Sequence, residues 1–412
     1  MRDPGRIAAA IDLLGRFAER PQPVSVLVAD WARGARYAGS KDRAFVRGLV
    51  LDALRRWKSF GADTDPRRGV FLTLRDVWGW PESRIEEAFG GDFGPGALTA
   101  EEKEAAPSDV LDLPDFLIEL LGESARAISD DAAERAPVDL RVNVLKADRP
   151  KALKALATLD AEETALSPLG LRIARLDATD KGPGVSVIPA YGKGWVEVQD
   201  EGSQLTVLAC GPLGGRQVLD YCAGGGGKTL ALAGSMANAG QLFAYDRDAH
   251  RLAPIHERVR RAGVRNLQVI APNEAERLSA LEGKIDLVFV DAPCSGSGTW
   301  RRHPDTKWRL TEAHLEARMA EQDQVLREAA RFVAPGGSLV YVTCSFLRQE
   351  NEDRVAAFLA EQSAFTVIPP LGCAESDLAE KLAPFVEGQA LRLSPGRSGT
   401  DGFTLMKLER AA

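Results

Sequence analysis

Two cysteines stand just past the ends of apolar runs. Ile285–Val290 leads into Asp291-Ala292-Pro293-Cys294-Ser295-Gly296-Ser297-Gly298, and Ser338–Thr343 leads into Cys344-Ser345. One cysteine in a buried strand is ordinarily a small core residue. Two of them past the carboxyl ends of two neighbouring strands would face one crevice, where sheets of this kind bind ligands. A third run, Arg216–Tyr221, ends in Cys222-Ala223-Gly224-Gly225-Gly226-Gly227-Lys228-Thr229. Four glycines before a helix let backbone amides approach a ligand closely. A phosphate-binding loop needs glycine where Cys222 stands, and a dinucleotide fingerprint starting at Gly224 needs glycine where Thr229 stands, so both phosphate readings fail on spacing. The run Gln241–Tyr245 ends in Asp246, a carboxylate suited to a ribose with two free hydroxyls. Asp248 can cap the following helix in its place. The cofactor expected from a non-phosphate glycine loop and a ribose carboxylate is S-adenosylmethionine.

Thiols beside a methyl donor suit one chemistry well. Attack of a thiolate on carbon 6 of a pyrimidine makes carbon 5 nucleophilic, and the carbon 5 proton and the thiol must then leave. A thiolate calls for positive neighbours, for which Lys228, Lys307 and Arg301-Arg302 are candidates. Asp291 can bond the cytosine edge and stabilise the adduct. The segment Trp300–Arg309 interleaves Arg301, Arg302, Lys307 and Arg309 with Trp300 and Trp308, a pattern suited to phosphate contacts and base stacking. His250, His256, His303 and His314 lack ligand spacing, and no metal is expected.

These residues need a scaffold. Strand candidates from Arg216 onward, adding Leu267–Ile270, alternate with helical stretches 229–236, 248–262 and 311–334, which argues a doubly wound parallel sheet. Thr311 would cap the last helix and Pro335-Gly336-Gly337 would stop it. Phe365–Ile368 and Gly402–Leu408 read as an antiparallel hairpin at the sheet edge. Upstream, Val138–Leu145 alternates like a strand, a helix at 149–159 follows, and Leu171–Arg175 and Val185–Pro189 are further strands of a small α/β unit. The N-terminal part is helical: Ile7, Ala10, Ile11, Leu14 and Phe17 share a face, as do Val46, Leu49, Val50, Ala53, Leu54 and Trp57. Ser40 is the expected cap of the second helix, with Arg43, Arg47 and Arg55 on its other face.

The 412 residues are 45% apolar and 27% charged, which permits a globular core. No apolar run is long enough to span a bilayer and no secretory signal opens the chain. Five scattered cysteines without a Cys-x-x-Cys pair argue for a reducing cytoplasm. The net charge of −7 argues against a nucleic-acid binder until it is divided. Residues 1–60 are net +6 and residues 71–140 net −12, so the basic end stands apart from the acidic stretch.

The motifs together resemble the Sun/Fmu/RsmB-type RNA (cytosine-5)-methyltransferases over about residues 137–409. The family loop Asp-x-Cys-Ala-Ala-Pro-Gly-Gly-Lys-Thr corresponds to Asp220–Thr229, with Gly224-Gly225 in place of Ala-Pro. Asp291–Gly296, Thr343–Ser345, Gln349–Glu352 and Asp401–Phe403 match further motifs, and Leu140–Asn143 and Gln199–Gln204 look like the pre-catalytic segments. The resemblance implies Cys344 as nucleophile, Cys294 as helper in product release, and catalytic support from Asp291 and Lys228. It implies cofactor contacts from Cys222, Ala223, Gly224, Gly225, Gly226, Gly227, Lys228, Asp246, Arg251, Asp291 and Pro293, with Asn273 in place of the usual acid. RNA contacts are expected from Arg141, Asn143, Arg301, Arg302, Lys307 and Trp308. The N-terminal helices look like a NusB-like RNA-binding module through Asp42–Phe45 and Leu54–Arg56.

The expected architecture is α/β. A helical NusB-like domain spans 1–125, a small α/β (RRM-like) RNA-binding subdomain 126–195, and a doubly wound Rossmann-like methyltransferase domain 196–412. The expected activity is methyl transfer from S-adenosylmethionine to carbon 5 of a cytosine in RNA, ribosomal 16S RNA first, by a cytoplasmic monomer without membrane contact. Transfer RNA as substrate and a non-catalytic RNA-binding protein are the alternatives. A DNA cytosine methyltransferase is disfavoured by the second thiol and the Trp300–Arg309 segment, and a glycine-loop ATPase by Cys222.

Overall fold

The computed structural model describes residues 1–107, 109–174 and 188–412. It divides into two compact units: Met1–Ala136 with Thr299–Thr311, and the remaining described residues.

The first unit is helical. Its longest helices, Asp3–Glu19, Val24–Gly34 and Ser40–Arg55, bury the faces that their apolar spacing marks out. Leu13, Leu14, Phe17, Leu49, Leu54, Phe71 and Phe89 are at most 1% exposed in one core, and each contributes about 1.5–3 kcal/mol by leaving water. The Ser40–Arg55 helix is capped one residue earlier than expected. Gly39 is the cap, and its N–H donates to the Asp42 carboxylate at 2.8 Å, which leaves Ser40 inside the first turn. Arg43 and Arg47 are exposed. Arg55 is not: it is buried, donating to Asp52 at 2.7 Å and to the Arg301 carbonyl at 2.8 Å.

The segment 299–311 is part of this core. It forms the short helix Pro304–Arg309. The Trp308 indole N–H donates to the Leu54 carbonyl at 2.7 Å, and its ring lies 6.5 Å from that of Trp57. Trp300, Arg301 and Lys307 are all buried.

The second unit holds two sheets. The smaller is antiparallel: β1 (Val138–Val142), β2 (Ala161–Glu163), β3 (Gly170–Ile173) and β4 (Val196–Val198) in the order β2-β3-β1-β4. The helix Arg149–Ala155, capped by Asp148 accepting from Lys151 N–H at 2.8 Å, joins β1 to β2. That order is the one a split β-α-β-β-α-β unit produces. The expected strand Val185–Pro189 falls outside the described residues as far as 187, and Pro189 opens a one-turn helix to Gly192. This sheet packs in the same unit as the larger one, and the helical unit extends to Ala136 rather than ending at 125.

The larger sheet has nine strands. β5 (Gln217–Asp220), β6 (Gln241–Tyr245), β7 (Leu267–Ile270), β8 (Ile285–Asp291) and β9 (Val333–Thr343) are parallel in the order β7-β6-β5-β8-β9. β13 (Phe403–Arg410) runs antiparallel beside β9, and β12 (Ala390–Leu393) and β11 (Val386–Glu387) lie outside it. β10 (Phe365–Ile368) pairs antiparallel with the far end of β13. The expected hairpin therefore exists as a pairing, but β13 is interior, because a second short hairpin covers its edge. In β8 and β9, Val288, Val290, Leu339 and Tyr341 enter one core and Leu287, Phe289, Val340 and Val342 the other. Strands buried on both faces explain their unbroken apolar runs. The helical stretch 248–262 is two helices, Ala249–Leu252 and Ile255–Ala262, parted at Pro254, which cannot continue the first.

Candidate active site

β6, β5, β8 and β9 are parallel neighbours, so their carboxyl ends share one edge of the sheet. The residues just past those ends are the ones the sequence marks out. Cys294 and Cys344 meet there, Sγ to Sγ 3.4 Å. Three influences push the Cys294 thiol up: the hydrogen bond with Cys344, then burial, then the negative charges of Cys344 and Glu350. Cys294 therefore keeps its proton at neutral pH.

The Lys228 Nζ donates to Asp291 Oδ2 at 2.6 Å. Burial alone would weaken the lysine's hold on its proton. The charges of Asp291, Cys344 and Asp220 and the Asp291 hydrogen bond outweigh it and raise its pKa, so Lys228 is a cation. Lys228 also lies 5.0 Å from the centre of the Phe403 ring.

The glycine loop bends sharply. Gly224 has φ +48° and Gly226 φ +85°, and a Cβ on Gly226 would sit 2.6 Å from the Ile255 side chain. Such backbone favours glycine. Two arginines brace the loop from outside: Arg258 Nη1 donates to the Gly225 carbonyl at 2.7 Å, and Arg141 Nη1 to the Gly227 carbonyl at 3.2 Å. Asp246, only 3% exposed, accepts from the Gly224 and Asp248 N–H groups, both at 2.9 Å. Asp248 does the capping, accepting from His250 and Arg251 N–H. Cys222, Asp246, Arg251 and Pro293, with Tyr221 and Tyr245, line one pocket. Burial, then the nearby carboxylates, pushes the Cys222 thiol up, so it is not a nucleophile.

Several expected residues lie elsewhere. Asn273 is exposed in the loop after β7. Arg141 and Asn143 are 3% and 5% exposed. Arg141 also donates to Gln199, and Asn143 Nδ2 donates to the Gly194 and Ala262 carbonyls, both at 2.8 Å. They brace the unit and present little surface to RNA. Arg301, Lys307 and Trp308 belong to the helical core, as described, and Arg302 is half-buried beside them. A basic, aromatic segment can read as an RNA contact, but its tryptophans carry enough apolar area to draw the segment inside.

The sequence reading passed over two acids. Asp220, at the end of β5, is buried; its Oδ2 accepts the Thr229 hydroxyl at 2.6 Å, while its Oδ1 has no hydrogen-bond partner. Burial pushes this carboxyl up to about 7. Glu350 is buried between the two cysteine loops. Both stand in quoted motifs, so position could have found them; their buried state could not be read.

Residues 207–409 match the family described as "16S rRNA methyltransferase RsmB/F". The "Probable ribosomal RNA small subunit methyltransferase B" of Bacillus subtilis (strain 168) is 33% identical over 339 residues, covering 77% of this chain and 73% of that one. The "Ribosomal RNA small subunit methyltransferase B" of Sodalis glossinidius (strain morsitans) is 38% identical over 235 residues, 57% of this chain and 53% of that one. The crystal structure of PH0851 superposes with a TM-score of 0.71 at 25% identity over 99% of each chain. With paired thiols at the ends of neighbouring strands and a relative matched over most of both lengths, the chain belongs to the 16S rRNA methyltransferase RsmB/F family.

Proposed function

We propose that the protein methylates carbon 5 of a cytosine in 16S ribosomal RNA through a covalent adduct on Cys344. The observation that carries this reading is the 3.4 Å approach of two thiols beside a lysine cation. A single nucleophile would not need the second thiol.

The residues at the crevice fit S-adenosylmethionine. Asp220 offers a buried, unpartnered carboxylate oxygen to an ammonium, Asp246 sits where a ribose is bound in sheets of this kind, and the loop from Cys222 to Gly227 brings backbone close. When bound, that cofactor supplies an electrophilic methyl group. Lys228 stabilises the Cys344 thiolate, whose electron pair forms the bond to carbon 6 and drives the ring's double-bond pair toward carbon 5. Asp291, held by Lys228, orients the cytosine edge. After methyl transfer the carbon 5 proton leaves to solvent water, the double bond re-forms, and the sulfur–carbon bond breaks with its pair returning to Cys344. Cys294, protonated and 3.4 Å away, donates its proton to the departing sulfur.

The helical unit takes the role of RNA anchor. Arg6, Lys41 and Arg84 surround Phe45, Trp78 and Trp80 in one groove on its surface. Cations lining a surface groove suit the phosphates of a nucleotide strand.

Bisulfite sequencing of total RNA with and without the gene tests the proposal. One 16S cytosine losing its protection in the deletion strain supports it. An unchanged 16S pattern with a lost site in transfer RNA would move the substrate, and no lost site anywhere would overturn the activity.

A further inference from the structure

Glu350 follows Cys344 by six positions and is fully buried, yet no step above uses it. A buried carboxylate is costly unless its oxygens are satisfied, and these are. Oε1 accepts the Ser295 N–H at 2.7 Å and the Gln322 amide at 3.0 Å; Oε2 accepts the Ser295 and Ser345 hydroxyls, both at 2.5 Å. Ser295 is the neighbour of Cys294 and Ser345 the neighbour of Cys344. Gln322 also donates to the Pro293 carbonyl at 2.9 Å, next to Cys294 on its other side.

We propose that Glu350 is a positioning residue: its buried carboxylate latches the Cys294 loop to the Cys344 loop, and thereby fixes the spacing and the unequal roles of the two thiols. Two loops from different strands have no covalent reason to stay in register, whereas a shared buried acceptor ties each to the other. Its donors among the described residues, the Ser295 N–H and hydroxyl, the Gln322 amide and the Ser345 hydroxyl, are all neutral, and its charge acts on Cys294. Cys344 has a lysine nearby instead. Cys294 is thus biased to keep its proton.

The titratable groups around Cys294 are few. Cys344 and Glu350 face it, and so does Tyr341 of β9, whose hydroxyl donates to the Glu350 carbonyl at 2.7 Å. Nearby, Arg354 is paired with Asp323 at 2.8 Å and Lys228 with Asp291, so neither cation is bonded to Glu350.

The latch is independent of the reaction, while the naming of Cys344 as nucleophile rests on the proposed function. The test separates them. In a Cys344→Ala background, without RNA or cofactor, the pH dependence of Cys294 alkylation by iodoacetamide is followed by mass spectrometry, with and without Glu350→Gln. The expected result is a midpoint lower by about one pH unit in the Gln variant, as removal of a neighbouring negative charge requires. In the otherwise native chain, Glu350→Gln should lower kcat about 30-fold or more with KM values within threefold, the signature of a lost transition-state geometry. An unmoved midpoint, or native kcat, overturns the proposal. Should Glu350→Gln fail to fold, Ser345→Ala removes one arm of the latch from the surface of the carboxylate; a kcat reduced about tenfold at near-native Tm supports the latch, and native kcat overturns it. A moved midpoint in a protein that methylates no cytosine would leave the latch standing and sink the proposed activity.

Discussion

Cys294 and Cys344 are the same chemical group 3.4 Å apart, so their roles must come from their neighbours. Cys344 and Lys228 interact through their charges, while the Cys344 hydrogen bond, burial and then the Glu350 charge act on Cys294. This asymmetry predicts two different failures. Cys344→Ala loses the nucleophile, and methyl transfer to RNA falls by at least about a thousandfold with cofactor affinity retained, checked by filter-bound methyl incorporation and calorimetry. Cys294→Ala keeps the attack but removes the proton donor for release, so a covalent protein–RNA band accumulates on a denaturing gel. Turnover at the native rate in Cys344→Ala would refute the assignment, and a Cys294→Ala protein with normal turnover and no band would refute the division of labour. At this scale the sequence was a good guide where chemistry is rare and a poor one where it is common. Paired cysteines after strands, and an aspartate after Tyr245, admit few explanations. Arginines, lysines and tryptophans admit many, which is why Arg141 and Lys307 were assigned to RNA and are buried instead. Glu350 was visible as a letter in a motif, but its meaning lies in four hydrogen bonds from residues 5 to 55 positions away.

Elements show the same limit in another form. The parallel strands were legible because both their faces are buried, which writes them as apolar runs. β11, two residues long, has no such signature. The segment Pro304–Arg309 was legible as something unusual, but whether a basic helix meets solvent or a core depends on what it docks against. Lys307 records the cost of that docking. It is fully buried, its Nζ has no hydrogen-bond partner, and the nearest ring, Trp308, lies 4.8 Å away. Burial, assisted by Arg55 and Arg56 and opposed by Asp112, pulls it down to about 7 from 10.5. Between those values the unfolded chain holds a proton that the folded chain lacks, so this residue makes stability rise with pH across the window; below about 7 its penalty is complete and constant. Lys307→Met should therefore raise Tm by roughly 3 °C or more at pH 7, and by less at pH 9.5, with RNA affinity unchanged. A lower Tm would show that the ammonium is better accommodated than its surroundings suggest, and weaker RNA binding would restore its expected role as a contact.

For the whole molecule, the net charge of −7 is the wrong quantity to set against an RNA substrate. The acidic excess lies in residues 71–140, while the first 60 residues are net +6 and place Lys41, Arg43 and Arg47 exposed on one helix. Trp300, Arg301 and Lys307 of the Trp300–Arg309 segment are buried, so family membership and the groove of Arg6, Lys41 and Arg84 carry the case for RNA instead. Arg6 and Arg84 already pair with Asp3, which leaves Lys41, Arg43 and Arg47 as the freer charges for phosphates. Single-stranded RNA releases about 0.7 of a counterion per phosphate neutralised. If these three residues each meet one phosphate, reversing all of them to Glu should weaken 16S RNA binding by at least about tenfold at 0.1 M salt and flatten the slope of log affinity against log salt by roughly 2. The affinity for S-adenosylmethionine should not move, because the residues proposed to hold it belong to the other unit. Fluorescence anisotropy with a labelled 16S fragment, titrated at several salt concentrations, reads both quantities. An unchanged slope would mean that the helical unit does not hold the RNA, and that the second unit must recognise it alone.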